Sequence, residues 1–367
     1  MHSVYIHIPF CNNICSYCAF TKFYYNEERV KKYLDALKNE IETNYKGEVI
    51  KTLYIGGGTP SCLNISELKY LFDIIKIFNL DEIYEFTIEV NPENIDKEKI
   101  LLFKKNKVNR ISMGVETTNN NFLKYLGRKY DYNLVKEKIK LIKYIGFKNI
   151  NVDLIYTLPN ETFNDLEKDI NKLLELDVSH ISTYSLMIEP HTRFYIDKEK
   201  EIEEDIDWEM YKLICSKLKE NGYKHYEVSN FSKIGYESCH NLVYWNNEHY
   251  YGFGLGASGY IENIRYTNTT SMKQYLEHNY KEELEYLSNK DIISYELILG
   301  FRKIEGINKQ DFYNKYNIDI KSLYNIKELL ENGNLKENSS HIFINYDKIY
   351  IENQILMNFV GEENEKV

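Results

Sequence analysis

The chain has 367 residues, 43% hydrophobic and 28% charged, which is typical of a globular protein with one large domain and a smaller one. Its formal net charge of −10 argues against a general binder of nucleic acid or anionic membrane, because both need excess Lys and Arg. No apolar run approaches the roughly 18 residues of a transmembrane segment, and a strand predicted from Ser3 leaves no room for a signal peptide. We therefore expect a cytoplasmic protein.

Short β-rich runs alternate with helical patterns over the first two hundred residues. Strands are predicted at 4–8, 52–55, 86–90, 110–115, 150–155 and 180–188, and helices at 27–45, from 66, after the cap Thr162, and at 205–220. Repeated strand–helix units imply a parallel sheet with right-handed crossovers. Six units predict an α/β fold, a partial (β/α)6 TIM-like barrel with its site at the carboxyl ends of the strands.

The pattern changes after Lys290. Helices are predicted at 292–300, 309–315 and 320–332, followed by a β-hairpin over 342–351 that turns at Asp347 and Lys348. This order predicts a small C-terminal α+β domain resembling a winged helix. We thus divide the chain into a barrel (1–235), a connecting segment rich in glycine and aromatic residues (236–287) and a C-terminal domain (288–367).

Three cysteines directly after the first predicted strand form a C-x3-C-x2-C motif: Cys11, Cys15 and Cys18. Three thiolates on one loop suit a [4Fe–4S] cluster. No fourth cysteine is close in sequence, so one iron would stay open for the amino and carboxylate groups of S-adenosylmethionine (SAM). A zinc site would need a fourth ligand, either His7 or a remote residue. The spacing favours the cluster.

Polar groups follow the next predicted strands. In the loop 56–60 three glycines let the backbone approach a ligand, and their carbonyls could hold an ammonium group, although a simple tight turn is the alternative. Glu89 and Asp153 end the third and fifth strands, where acids are costly unless paired, so they could bind a nucleoside or form buried salt bridges. Arg128 could pair with a carboxylate or lie on the surface.

These motifs are similar to those of the oxygen-independent coproporphyrinogen oxidase-like branch of the radical SAM superfamily, and more closely to its haem-chaperone subgroup. The resemblance runs over about 5–306 and includes YIHIPFCNNICSYC, GGGTPS, IEVNPE, RISMGVE, LGR, NVDLIYTLP, YEVSNF and CHNLVYW. Two positions depart from the pattern: Glu116 replaces the usual glutamine, and Thr157 the usual glycine. The resemblance implies that SAM is surrounded by Tyr5, Tyr17, Gly57, Gly58, Thr59, Glu89, Glu116, Arg128 and Asp153.

The resemblance leaves two functions open. One is a chaperone that binds haem and delivers it to haem-requiring proteins such as respiratory ones. The other is coproporphyrinogen III dehydrogenase, which decarboxylates its substrate to protoporphyrinogen IX. The chaperone is favoured because Phe20 replaces a further cysteine of the dehydrogenase, and because the cluster motif begins almost at the amino terminus. Either function implies an electron donor such as flavodoxin or ferredoxin.

A third feature favouring the chaperone is an H-N-x-x-Y-W signature, formed here by His240, Tyr244 and Trp245. A neutral imidazole can ligate haem iron, and two aromatic rings offer flat faces to the macrocycle. No C-x-x-C-H motif is present, so attachment would be non-covalent. Alternatively, His240 is a structural histidine among core aromatics. Cys239 is either a rival ligand or a small buried residue.

Overall fold

The computed structural model describes residues 2–360. Met1 and residues 361–367 lie outside the described range. The predicted barrel segment (1–235) includes the first of these, and the predicted C-terminal segment (288–367) includes the others. The elements of the barrel and its edge are β1 (His2–Ile8), β2 (Phe10–Cys11), β3 (Phe23–Tyr24), α1 (Glu27–Asn44), β4 (Ile50–Gly57), α2 (Ile65–Ile75), β5 (Glu85–Val90), α3 (Lys97–Lys105), β6 (Arg110–Glu116), α4 (Asn120–Tyr125), α5 (Tyr132–Tyr144), β7 (Asn149–Tyr156), α6 (Phe163–Glu175), β8 (His180–Ser185), α7 (Arg193–Ile196), α8 (Glu204–Glu220), β9 (Lys224–Glu227) and β10 (Asn230–Ser232).

Six parallel strands form the barrel wall in the order β1-β4-β5-β6-β7-β8. All six predicted strands are confirmed. Along β5, Phe86 and Ile88 alternate with Thr87 and Glu89. Both faces of the strands are covered, as expected for a parallel sheet with helices packed outside. The inner face carries polar residues, which gives the barrel a polar interior.

Local sequence fixes where the outer helices begin. The Asn64 side chain accepts from the backbone of Glu67, whose carboxylate accepts in return from the Asn64 amide, which forms a capping box at α2. Thr162 caps α6 in the same way with Asp165, as predicted. None of the described helices is long and apolar enough to cross a membrane.

The segment predicted to be a connection instead extends the barrel sheet. It contains α9 (Cys239–Trp245), β11 (Tyr250–Phe253), β12 (Ser258–Ile261), β13 (Ile264–Asn268), α10 (Met272–Leu276) and β14 (Lys281–Tyr286). Strand β11 pairs parallel with β1, and β12, β13 and β14 follow antiparallel, completing a 12-stranded sheet. Strands β11, β12 and β13 follow one another through short turns, so this segment lacks the strand–helix alternation that indicates the barrel strands in the sequence.

The C-terminal region is a small α+β unit, as predicted, and the domain boundaries stay predictions. It consists of α11 (Asn289–Gly300), β15 (Ile307–Asn308), α12 (Lys309–Tyr316), α13 (Tyr324–Glu331), β16 (Leu335–Glu337), β17 (His341–Ile344) and α14 (Glu352–Leu356). The predicted hairpin position was wrong. Strand β17 pairs with the preceding β16, whereas Tyr346–Ile351 forms a 3₁₀ helix whose first turn is capped by the Asn345 side chain.

Candidate SAM and iron–sulfur site

The three motif cysteines line one pocket of about 370 Å³ at the carboxyl ends of the barrel strands. Cys11 belongs to β2, which pairs parallel with β3 and thereby closes the loop between them onto the barrel. Cys11 is buried, and Cys15 and Cys18 are half-buried. All three are free thiols. The loop therefore directs three sulfur donors to one cavity, as the spacing predicts.

The donor set fits a cluster rather than a single ion. Among residues 2–360, no three His, Cys, Asp or Glu side chains converge closely enough to hold one metal ion. Cluster ligands need not converge, because each thiolate of a [4Fe–4S] cluster binds a different iron. Burial raises the pKa of all three thiols, that of Cys15 to about 11, and a bound metal would oppose that rise by favouring the thiolates.

The glycine loop lies directly against the cysteine loop. A Cβ on Gly58 would come within 3.0 Å of the Cys11 sulfur, and one on Gly57 within 2.6 Å of the His7 ring. Gly57 also has φ +115°, which favours glycine. The Thr59 hydroxyl donates to the Cys11 sulfur at 3.4 Å. Glycine is therefore required at these two positions by close packing against the cysteine loop and His7, as well as by the turn.

Glu89 is half-buried in the lining of the pocket. Its carboxylate accepts from the Gly57 amide at 3.0 Å and from the Tyr54 hydroxyl at 2.8 Å. Burial raises its pKa, and these two donors oppose the rise. Tyr5, predicted to contact SAM, is not among the residues that line the pocket, and its hydroxyl lies 3.0 Å from His7 Nδ1. Contact between Tyr5 and SAM stays a prediction.

Arg128 organises the opposite wall. Its guanidinium donates to the Tyr17 hydroxyl at 2.7 Å and to the Asn91 side chain at 3.1 Å, and it forms an ion pair with Glu116. The Nε of Arg128 is buried without a partner. Arg128 is therefore not a surface residue. Its positive charge compensates the carboxylate of Glu116, which replaces the glutamine usual at this position. Asn91 was not predicted to be a site residue, although it directly follows the third strand.

Asp153 completes the pocket from β7. It pairs in register with Gly114 on one side and Ser182 on the other, and its carboxylate accepts from Asn151 at 2.8 Å. Burial, followed by repulsion from Glu116, raises its pKa to about 7. No cation is paired with it among the described residues, so the buried salt bridge considered for Asp153 is absent there.

The second departure, Thr157, stands in a left-handed backbone conformation with φ +61°. Such a φ favours glycine and strains a β-branched residue. The Thr157 hydroxyl lies 2.9 Å from Ser185 Oγ and accepts from the Leu186 amide at 3.0 Å. These bonds offset part of the strain and tie the ends of β7 and β8 together beside the pocket.

His240 lies at the other end of the barrel, where the strands begin. It is 1% exposed, and its Nδ1 is 2.7 Å from the Thr52 hydroxyl, which donates to Ser3. Its Nε2 is 2.8 Å from the Tyr244 hydroxyl. Burial lowers its pKa to about 3, so the imidazole is neutral. Thr52 uses its hydrogen on Ser3 and therefore accepts from Nδ1, which leaves Nε2 to accept from Tyr244.

The Nε2 atom that would bind iron already has a hydrogen-bond partner, and the ring is buried, so the packing favours the structural alternative for His240. Haem ligation by this residue stays a prediction. Tyr244 packs edge-on against Tyr250 with ring centroids 4.6 Å apart, and the Arg302 guanidinium lies 5.8 Å from the Trp245 ring. These contacts are those expected of a structural histidine among packed aromatic residues.

The partial barrel and its three-cysteine loop define a radical SAM protein. The radical SAM superfamily model matches residues 5–173, and the HemN C-terminal domain model matches residues 287–345. The chain is 42% identical over 280 residues to heme chaperone HemW of Lactococcus lactis, an alignment covering 75% of this chain and 74% of that one. The chain belongs to the HemW family. This membership implies a [4Fe–4S] cluster and SAM as cofactors.

Further relatives agree. Heme chaperone HemW of Bacillus subtilis is 42% identical over 286 residues, covering 76% of each chain, and that of Escherichia coli is 32% identical over 291 residues, covering 76% of this chain and 77% of that one. Among solved structures, coproporphyrinogen III oxidase (HemN) of Escherichia coli superposes with a TM-score of 0.86 at 22% identity, covering 98% of this chain and 89% of that one. That likeness establishes the fold.

Proposed function

We propose that this chain is a haem chaperone, which binds haem and passes it to haem-requiring proteins. The observation that carries the proposal is 42% identity, over three quarters of the chain, to proteins named heme chaperone HemW. In this proposal Cys11, Cys15 and Cys18 hold a [4Fe–4S] cluster, and SAM binds beside it. Respiratory proteins as acceptors, and flavodoxin or ferredoxin as electron donor, belong to the same proposal.

The proposed SAM contacts follow from the chemistry of the pocket lining. The backbone carbonyls of the Gly57–Gly58 loop would accept from the ammonium group, and Arg128 would bind the carboxylate. Asp153 would accept from the nucleoside hydroxyls, and Tyr17 would pack near the adenine. Glu89 holds the glycine loop in place through the Gly57 amide. When bound, the cluster supplies the electron for any reductive cleavage of SAM.

The rim of the pocket supports a chaperone over a dehydrogenase. Phe20 stands where the dehydrogenase carries a cysteine, and it is 70% exposed at the rim together with Met187, which is 64% exposed. A large apolar side chain exposed to water at a functional site is more typical of contact with another molecule than of proton or electron transfer. Oxidative decarboxylation of coproporphyrinogen III remains the alternative function.

The test is an anaerobic haem titration of the cluster-reconstituted chain, monitored by absorbance. Transfer of the bound haem to an apo-haem protein is then measured. Saturable one-to-one binding with transfer supports the proposal. Coproporphyrinogen III turnover is assayed on the same preparation. Turnover without specific haem binding would contradict the chaperone and establish the dehydrogenase.

A further inference from the structure

The hydroxyl of Thr59 lies against the sulfur of Cys11 inside the cluster pocket. Thr59 Oγ1 is 3.4 Å from Cys11 Sγ, and the two residues are only 4% and 6% exposed. Among residues 2–360, no side chain donates a hydrogen bond to the sulfur of Cys15 or Cys18. The three sulfur donors of the pocket therefore differ, because only Cys11 faces a hydroxyl group.

A chain of hydrogen bonds leads from Arg128 to this hydroxyl. Arg128 Nη1 donates to Asn91 Oδ1 at 3.1 Å, and Asn91 Nδ2 donates to Thr59 Oγ1 at 3.1 Å. A guanidinium group can only donate, so the amide oxygen of Asn91 must face Arg128 and its amino group must face Thr59. Thr59 thus accepts from Asn91 and keeps its own hydrogen for another acceptor.

Two acceptors are within reach of the Thr59 hydrogen. One is Cys11 Sγ, and the other is the Gly58 carbonyl, 2.7 Å from Thr59 Oγ1. As a cluster ligand Cys11 is a thiolate, and hydrogen bonds to an ionised acceptor are roughly twice as strong as those between neutral groups. When the cluster is bound, we therefore expect the hydrogen of Thr59 to lie on the sulfur.

We propose that Arg128, Asn91 and Thr59 form a relay that directs one hydrogen bond to Cys11 and thereby raises the reduction potential of the cluster. Hydrogen bonds to the sulfurs are one of the means by which proteins set this potential. Reduction adds negative charge to the cluster, so a donor stabilises the reduced form more than the oxidised form. The inference rests on the ligation of the cluster by Cys11 in the proposed function, and it does not depend on haem binding.

The local structure keeps the relay in place. Pro92 restricts Asn91 to the extended backbone that the structure shows, with φ −105° and ψ 145°. The Asn91 amide donates to Ser61 Oγ at 3.1 Å, and Arg128 is held by its ion pair with Glu116. The donor groups are therefore positioned by the fold itself.

The experiment measures the midpoint potential of the cluster in the full, reconstituted chain without SAM, so that no contact between Thr59 and SAM contributes. Thr59→Val removes the hydroxyl at nearly constant shape, and Thr59→Ser keeps it. We expect Thr59→Val to shift the reduction equilibrium about tenfold toward the oxidised cluster, which is about 59 mV for one electron. Thr59→Ser should stay within about threefold of the wild-type equilibrium. Iron and sulfide contents show whether the variants carry the same cluster.

Thr269→Val is the matched control. Thr269 is 1% exposed, its hydroxyl donates to the Gln274 side chain at 2.7 Å, and it lies outside the pocket lining. The variant removes a buried, hydrogen-bonded hydroxyl of the same kind, and the potential of the cluster should not change.

Asn91→Asp tests the direction of the relay. A carboxylate can accept from both Arg128 and Thr59, so it should draw the Thr59 hydrogen away from Cys11. The added negative charge also lowers the potential, and combination with Thr59→Val separates the two effects. We expect the shift caused by Asn91→Asp to be about tenfold smaller in the Thr59→Val background than in the wild-type background.

The outcomes separate the relay from the proposed ligation. If the wild-type chain assembles no cluster, the ligation by Cys11 is wrong, and the relay with it. If the cluster forms and Thr59→Val has the wild-type potential, the relay is wrong while the ligation stands. An equal loss in Thr59→Ser and Thr59→Val would assign the effect to packing and would also overturn the relay. If Thr59→Val assembles no cluster, Asn91→Asp decides, because an unchanged potential in that variant contradicts the relay.

Discussion

Arg128 and Glu116 form an ion pair in the wall of the cluster pocket, with both side chains only 8% exposed. Removing one partner from a buried pair leaves an uncompensated charge, which costs about 3–5 kcal/mol. We therefore expect Glu116→Ala to lower the free energy of unfolding by roughly that amount. Glu116→Gln also removes the charge but keeps an oxygen acceptor for Arg128, so it should cost less than Glu116→Ala. Urea unfolding under reducing conditions measures both, and unchanged stability in both variants would contradict the pairing.

Cys15→Ala is expected to abolish cluster assembly, because two thiolates are too few to hold the cluster. The measurement is iron and sulfide content after anaerobic reconstitution, together with the absorbance of the cluster. Cys215→Ala is the matched control, since Cys215 is a half-buried free thiol on α8 outside the pocket lining. Full iron and sulfide in Cys15→Ala would remove this residue from the proposed ligands.

Asp153→Asn should weaken SAM binding and leave iron content unchanged. The carboxylate lines the pocket without a cationic partner in the described range, so its loss removes charge-assisted hydrogen bonds of about 1.5–3 kcal/mol. Calorimetry should then show about tenfold to hundredfold weaker SAM binding. Asp177→Asn changes an exposed carboxylate of the same type and serves as control. Unchanged SAM affinity in Asp153→Asn would count against the assigned contact.

The stability of the protein should fall between mildly acidic and mildly alkaline pH because of Glu161. Burial, and then repulsion from Asp169, raises its pKa to about 8, and one carboxylate oxygen is buried without a partner. A raised folded-state pKa gives stability that is present below pH 4.5 and is lost as pH rises through 8. The slope from one such group is at most about 1.4 kcal/mol per pH unit.

Glu161→Gln should flatten that dependence, because the amide cannot ionise. Urea unfolding at several pH values from 5 to 9 compares the variant with the wild-type chain. Glu220→Gln, at the exposed end of α8, controls for the change in net charge. An unchanged pH profile in Glu161→Gln would show that this carboxyl does not take up a proton on folding as its burial implies.

His240→Ala is expected to reduce stability without changing the spectrum of bound haem. The variant loses two buried hydrogen-bond partners, leaving Thr52 and Tyr244 unsatisfied at a cost of about 1–3 kcal/mol each. Absorbance of the haem complex and urea unfolding are measured on the same protein. A shifted haem spectrum with an unchanged amount of haem bound per chain would indicate that His240 is an axial ligand.

The sequence predicted much of the fold because its signals are local. The alternation of apolar and polar residues along β5 and the capping residue Thr162 depend only on near neighbours in the chain. The C-terminal hairpin was misplaced because a strand as short as Leu335–Glu337 carries little periodicity, and its pairing with β17 is a tertiary event. Strands β11 to β14, which extend the sheet beyond β1, lack the regular strand–helix alternation of the barrel, so only their pairing shows that they belong to this sheet.

The sequence by itself determined the chemistry of the cluster site: Cys11, Cys15 and Cys18 lie on one loop, so their proximity follows from the covalent chain. The structure alone decided how distant residues meet. It paired Arg128 with Glu116, moved Tyr5 out of the pocket lining, and placed His240 at the far end of the barrel against Thr52. A motif specifies which groups are available, whereas only the packing of strands shows whether a lone pair is free. Here the barrel uses both nitrogens of His240 to hold itself together.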